Sequence, residues 1–232
     1  MKKLTIAVMM LFSTISLASA EIGLKVGISG NMTVFHATGQ ETNNDTTTGG
    51  NVETSKEDAT ALAGYSSIFI EKSLPGPLSR ISIGIDYVMD TLSSDTVEND
   101  RQDHDTDNAA NAIPAFDTKK NKVKVDFEDL TTIYLTANIT DNFYVKAGMV
   151  TVDVNTKEDL ATGSKYGNTD LEGTSFGIGA SKDFDNGMFI RVEGNYIDLG
   201  GASLKSTTNS HNTVKISQLE GGNGRISIGK SF

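Results

Sequence analysis

The chain has 232 residues, 20 of them basic and 30 acidic, with a formal charge of −10, 23 glycines and neither cysteine nor tryptophan. The missing thiol excludes disulfides and cysteine nucleophiles, and the acidic balance argues against a nucleic-acid partner, whose phosphates need Lys and Arg. Mean hydropathy is −0.24, and beyond residue 20 no apolar run approaches the ~18 residues of a membrane-crossing helix, so a helical span is excluded there.

Residues 1–20, MKKLTIAVMMLFSTISLASA, place Lys2 and Lys3 before an apolar run from Leu4 to Phe12 and finish on Ala18-Ser19-Ala20. A basic start, a short apolar stretch and a small-x-small end predict a cleaved secretory signal. Losing Lys2 and Lys3 takes the formal charge from −10 to −12. Residues 21–232 are then expected to form one domain.

That domain opens with EIGLKVGISGNMTVFH, which puts Ile22, Leu24, Val26, Ile28, Met32 and Val34 on one face and Gly23, Lys25, Gly27, Ser29, Asn31 and Thr33 on the other. A dozen residues at period two is about twice the usual strand of a globular protein. It suits a tilted membrane-spanning strand, which needs ~9–11. Residues 61–74 predict a second strand whose facing stays open, because Ile68 and Ile70 compete with Tyr65 and Phe69.

In the third strand Ile81, Ile83, Ile85, Tyr87 and Met89 oppose Arg80, Ser82, Gly84, Asp86 and Asp90. The fourth sets Val123, Val125, Phe127, Ile133, Leu135, Ala137 and Ile139 against Lys124, Asp126, Glu128, Thr132, Tyr134 and Asn138. The fifth sets Phe143, Val145, Ala147 and Met149 against Tyr144, Lys146 and Gly148, and the sixth sets Phe176, Ile178, Ala180 and Phe184 against Ser175, Gly177, Gly179 and Ser181. The seventh opposes Met188, Ile190, Val192 and Tyr196 to Arg191, Glu193 and Asn195. The eighth carries Val214, Ile216, Ile226, Ile228 and Phe232, and EGGNG at 220–224 is read as a bulge or bend inside it rather than a turn.

The links alternate in length. Those after strands two, four and six are short, at 75–77, 140–142 and 185–187; those after strands one, three, five and seven are long and polar, near 36–61, 93–121, 156–170 and 200–212. A soluble sandwich has no reason to gather every long loop at one end, whereas an outer-membrane barrel does, with short periplasmic turns and long extracellular loops. The fold class expected is all-β, an eight-stranded antiparallel up-and-down transmembrane barrel, with both termini periplasmic.

With the apolar set facing lipid, the other face fills a lumen just wide enough for side chains. Lys25, Arg80, Lys124, Lys146, Arg191 and Arg225 are expected there against Asp86, Asp90, Asp126, Glu128 and Glu193, paired into a structural plug, since buried charges must be compensated. A narrow conducting path is the sharper alternative. Phe143, Phe184 and Phe232 near one boundary and Tyr87, Phe127 and Tyr196 near the other suggest aromatic girdles.

In the second long loop, Asp103, Asp105 and Asp107 match the opening of a calcium loop, but Asn108 and Pro114 stand where the motif needs Gly and Glu. Weak Ca²⁺ or Mg²⁺ binding is the most this run predicts, beside the plainer expectation of a solvated loop; no cofactor is expected. His36, His104 and His211 show no ligand spacing, and Ser210 beside His211 points the other way in an extended chain.

The signal, the alternating strands, the loop alternation and the terminal Phe232 together resemble the small eight-stranded outer-membrane barrels of Gram-negative bacteria, such as OmpX and the OmpA membrane domain. The resemblance implies that Ile226, Ile228 and Phe232 form a signal read by the barrel-assembly machinery, with Lys230 standing where an apolar residue is usual. The function expected is non-enzymatic: a monomer in outer-membrane lipid that presents acidic loops for envelope integrity or for an unidentified extracellular ligand. A porin-like channel and a lipid-acting hydrolase are the rival expectations.

Overall fold

The computed structural model describes residues 23–43, 53–94, 96–104, 116–159, 165–208 and 212–232. The signal segment 1–20 lies outside them.

Among the described residues twelve strands follow one another: β1 (Leu24–Asn43), β2 (Glu53–Ser73), β3 (Ile81–Val88), β4 (Leu92–Ser93), β5 (Val97–His104), β6 (Phe116–Asn138), β7 (Phe143–Asp159), β8 (Thr169–Asp183), β9 (Met188–Leu199), β10 (Ala202–Lys205), β11 (Asn212–Ile216) and β12 (Leu219–Ser231). Eight of them close an antiparallel ring in the order β1-β2-β3-β6-β7-β8-β9-β12, with β12 returning to β1. The rest are continuations: β4 and β5 carry β3 onward along β6, β10 extends β9, and β11 leads into β12. The segments expected as loops are therefore partly strand. This is an up-and-down transmembrane barrel whose hairpins run past the ring at one end.

At the other end the turns are tight. Gly76 and Gly187 adopt φ of 66° and 79°, a left-handed backbone that a Cβ disfavours. Thr140 Oγ1 accepts from the Asn142 and Phe143 amides at 3.2 and 3.0 Å, and Asn186 Oδ1 accepts from the Met188 amide at 3.0 Å. The start of β1 and the end of β12 meet here, with Phe232 N donating to Leu24 O at 2.8 Å and Leu24 N to Phe232 O at 3.2 Å.

Two register shifts reshape the expected pattern. Residues 220–224 pair regularly with 32–36, so the irregularity expected there lies instead at Ser217–Gln218, where the pairing steps from Gly39↔Ile216 to His36↔Glu220. The strand is otherwise continuous, as read from the sequence. In β6 the pairing with β7 shifts between Glu128 and Thr131, with Asp129 at φ 54°. One extra residue reverses which face the side chains take. Hence Val125 and Phe127, expected to face lipid, pack against the interior cluster instead.

The facing of β2 is settled by burial: Ser67, Phe69 and Glu71 point inward, and Leu62 is exposed. A second pattern runs along the ring strands, with no change of phase in β1, β7, β8 and β9. In β7 the exposed set passes from Phe143, Val145 and Met149 to Thr151 and Lys157, while the inward set passes from Tyr144 and Lys146 to Val150, Val152 and Val154. In β9 the inward set passes from Arg191 and Glu193 to Ile197 and Leu199. Near the turns the wall is apolar outside and polar inside; towards the long hairpins it is polar outside and apolar inside. At ~3.3 Å per residue, the 20 residues of β1 run ~65 Å, about twice the ~30 Å hydrocarbon layer.

Candidate functional site

The lumen is filled in three tiers. The tier nearest the turns is ionic. From β9, Arg191 Nη1 and Nη2 donate to Glu71 Oε2 and Oε1 of β2 at 2.8 and 3.0 Å, a two-pronged pair with side chains 5% and 2% exposed. Arg225 of β12 bonds Asp86 of β3 and lies 3.6 Å from Glu193, which also accepts from Lys146 Nζ at 3.2 Å and from Tyr144 Oη at 2.6 Å. Tyr134 Oη donates to Glu71 at 3.4 Å. Each cation also lies over rings: Arg191 over Phe189 at 4.8 Å and Tyr144 at 5.2 Å, Arg225 over Phe69 at 5.2 Å, Lys146 over Tyr134 at 4.2 Å, and Lys25 over Phe189 at 5.6 Å. Charges so enclosed are tolerated because partners and π-faces replace the lost water.

The middle tier is neutral and hydrogen-bonded. Asn223 Nδ2 donates to Thr33 Oγ1 at 2.7 Å, Asn195 Nδ2 to Asn223 Oδ1 at 3.0 Å, and Asn31 Nδ2 to Ser67 Oγ at 3.2 Å. Above it, Val88, Leu130, Val150, Val152, Val154, Leu171, Ile197, Leu199 and Leu219 form an apolar tier on which Phe35 and Phe127 pack. The interior thus loses charge stepwise as the strands leave the apolar outer band.

Of the eleven residues expected in the lumen, Lys25, Asp86, Lys146, Arg191, Glu193 and Arg225 point into it. The other five do not. Arg80 stands at the turn end, 63% exposed and 3.7 Å from Asp141, because it precedes β3 rather than belonging to it. Asp90 follows β3 and accepts from Ser66 N and Oγ at 3.3 and 2.7 Å on the outer side. Lys124, Asp126 and Glu128 are turned outward by the β6 bulge. There Asp126 accepts from Ser93 Oγ at 2.6 Å and from Lys157, with Lys124 at 3.7 Å. Lys157 and Ser93 hold the Asp126 carboxyl below the usual carboxylate range.

Glu71, absent from the expected set, anchors the two-pronged pair with Arg191; it sits in β2, whose facing the sequence leaves open. The ring-forming aromatics had a legible sign. Gly27↔Phe69, Gly84↔Tyr134, Gly179↔Tyr144 and Gly229↔Phe189 are directly paired across strands, and a methyl on any of these glycines would overlap the ring.

Ile226 and Ile228 face outward at 61% and 49% exposure. Lys230 shares their face, with its Nζ 5.5 Å from the centre of the Phe232 ring. The cation that fits an apolar pattern poorly therefore covers the terminal aromatic. Asp105, Asp107, Ser210 and His211 lie outside the described residues, and of Asp103 only the backbone, in β5, is described. His36 Nδ1 lies 3.2 Å from Thr60 Oγ1 on the exposed surface.

No protein-family model matches the chain, and no curated protein matches it. Among solved structures it is similar to the outer membrane protease OmpT of Escherichia coli, at 12% identity and TM-score 0.46, covering 94% of this chain and 99% of that one. It is also similar to Neisserial surface protein A, at 9% identity and TM-score 0.36 over 88% and 97% of the two chains. A third likeness is to Ail, the attachment invasion locus protein of Yersinia pestis, at 8% identity and TM-score 0.31 over 86% and 98%.

Proposed function

We propose that this protein is a non-enzymatic, monomeric outer-membrane barrel that holds an acidic, β-structured pedestal out from the cell, contributing to envelope integrity and to contact with external ligands. The observation that carries the reading is the reversal of polarity along single strands that have no break, such as β1, β7 and β8. An apolar exterior belongs in lipid, and a polar exterior around an apolar interior belongs in water. The two stacked in one barrel fit a wall that crosses a membrane and then stands above it. On this reading the tight-turn end is periplasmic, and Ile226, Ile228 and Phe232 meet the assembly machinery there.

The rival channel needs a water path. Phe69 and Phe189 are 3% and 0% exposed and stand across the ionic tier, and the apolar tier lies beyond it, so the lumen is read as closed.

The chain has no cysteine, so single cysteines report orientation cleanly. On intact cells, a bulky impermeant maleimide is expected to label Thr60→Cys and to reach Asn186→Cys only after the outer membrane is opened. Labelling of Asn186→Cys but not Thr60→Cys on intact cells would overturn the orientation, and fractionation away from outer membranes would overturn the reading itself.

A further inference from the structure

The ring is complete only on the turn side. β2 pairs with β1 from Glu53 to Lys72 but with β3 only from Ser67 to Ser73. β4 and β5 continue β3 and keep β6 as their partner; among the described residues they pair with nothing on the side that β3 gives to β2. Beyond Ser66 the two arms part, and among the described residues the β2 edge turned towards β4 and β5 has no strand partner. At the parting, Met89 N donates to Ser66 O at 3.4 Å, and Asp90 Oδ2 accepts from Ser66 N at 3.3 Å. Asp90 thus takes the first β2 amide that has lost its strand partner.

Residue 66 therefore turns its N–H and C=O to the open side. The β1–β2 register runs unshifted from Leu24↔Lys72 to Asn43↔Glu53, so alternation places the donors and acceptors of Gly64, Leu62, Thr60, Asp58, Lys56 and Thr54 along that edge. Ala59 and Ala61 share the inward parity of Phe69 yet are exposed, so the opening reaches the inside of the ring. An edge of this kind is a template for another strand.

We infer that this slot accepts one extended polypeptide segment, which hydrogen-bonds to the β2 edge beyond Ser66 and completes the ring there as an added strand. Inward, facing Ala59 and Ala61, it has room for apolar side chains; outward it passes Asp58 and Asp90, with Lys56 further along the same face, so basic side chains suit the stretch beside the two carboxylates. The inference rests on the surface-contact reading and names the chemistry of that contact.

The test uses the full-length protein in lipid nanodiscs and a capped peptide of about ten residues, alternating valine and threonine with a lysine at each end. Residue-resolved amide exchange should show the even residues from 54 to 64 exchanging about tenfold faster than the odd ones, and peptide should slow the even set by about as much. Thr60→Pro removes an edge donor and leaves the backbone β1–β2 ladder in place, giving up only the Thr60 Oγ1 contact with His36; it should keep the folded form's gel mobility and lose peptide protection. Equal exchange of odd and even amides, or protection that survives Thr60→Pro, would overturn the slot. Slowing without peptide, accompanied by sedimentation as a dimer, would overturn the peptide reading in favour of a second copy. If the slot fails while Thr60→Cys still labels on intact cells, presentation stands without it.

Discussion

Tyr134 lies opposite Gly84, Tyr144 opposite Gly179, Phe189 opposite Gly229 and Phe69 opposite Gly27, each across one hydrogen-bonded strand pair. A ring laid flat along the wall needs a neighbour without a side chain, and the ring in turn supplies a π-face to a buried cation. Reading the glycines as making room on the lumen face follows from composition and period. Matching each to its ring needs the register, which hydrophobic alternation leaves undetermined. Not every glycine serves this purpose: a methyl on Gly194 meets nothing within 4 Å. Gly84→Ala should therefore cost ~1–3 kcal/mol by overpacking, whereas Gly194→Ala should be neutral or stabilise by up to ~1 kcal/mol through the unfolded chain. Urea unfolding in lipid vesicles, followed by the shift between folded and unfolded gel forms, measures both.

At the scale of a strand, β6 shows where sequence reading stops. Its two halves each alternate well, and the eye joins them in one phase; the single extra residue at Asp129 breaks that phase, and Val125, Phe127, Lys124, Asp126 and Glu128 all change sides. Asp129 has a structural role there, accepting from Tyr87 Oη at 2.6 Å. β7, by contrast, has no such break, and its alternation gives the facing from Phe143 to Met149. Its outer part carries a strain of another kind, since Asp153 sits directly opposite Asp170 of β8. Burial, and then the charge of Asp170, push the Asp153 carboxyl above the usual range. A folded-state pKa above the unfolded value means stability that is present below the ordinary carboxylate pKa of ~4 and is lost as pH rises through the folded value. At neutral pH this end of the β7–β8 pair is therefore penalised. Asp153→Asn should strengthen it by ~0.2–1 kcal/mol, as expected for relieving a like-charge cross-strand pair. Amide exchange near Val152 and Val154, compared between the two proteins at each pH, should show the gain at neutrality and its disappearance in acid. A gain that persists unchanged in acid would rule out the charge account.

Over the whole molecule, the polarity of the wall reverses along its height, which on the proposed reading means two solvents in turn. Alternation, the short turns and the closing of β12 on β1 were legible because a membrane barrel writes them into every strand. The reversal of polarity is harder to read, because the polar hairpin ends look like loops, although Val150, Val152 and Val154 continue the lumen face of β7. Its consequence is that the cost of a change depends on height along a strand as much as on facing. Ile178 and Thr174 of β8 share the outer face, four residues apart, with Ile178 70% exposed inside the apolar band and Thr174 exposed just past it. Ile178→Arg should cost ~2–4 kcal/mol in lipid vesicles and Thr174→Arg ~0–1 kcal/mol, the depth dependence of a charge on a barrel's lipid face. Leu199, in the apolar tier at 1% exposure, should behave as an ordinary buried core residue, with Leu199→Ala costing ~2–5 kcal/mol. Urea unfolding of the three variants in vesicles sets the pattern: a high cost in the band, little on the polar exterior, and a high cost again in the pedestal's interior. Equal costs for Ile178→Arg and Thr174→Arg would mean that lipid does not end between them, and the pedestal would have to be redrawn as part of the membrane wall.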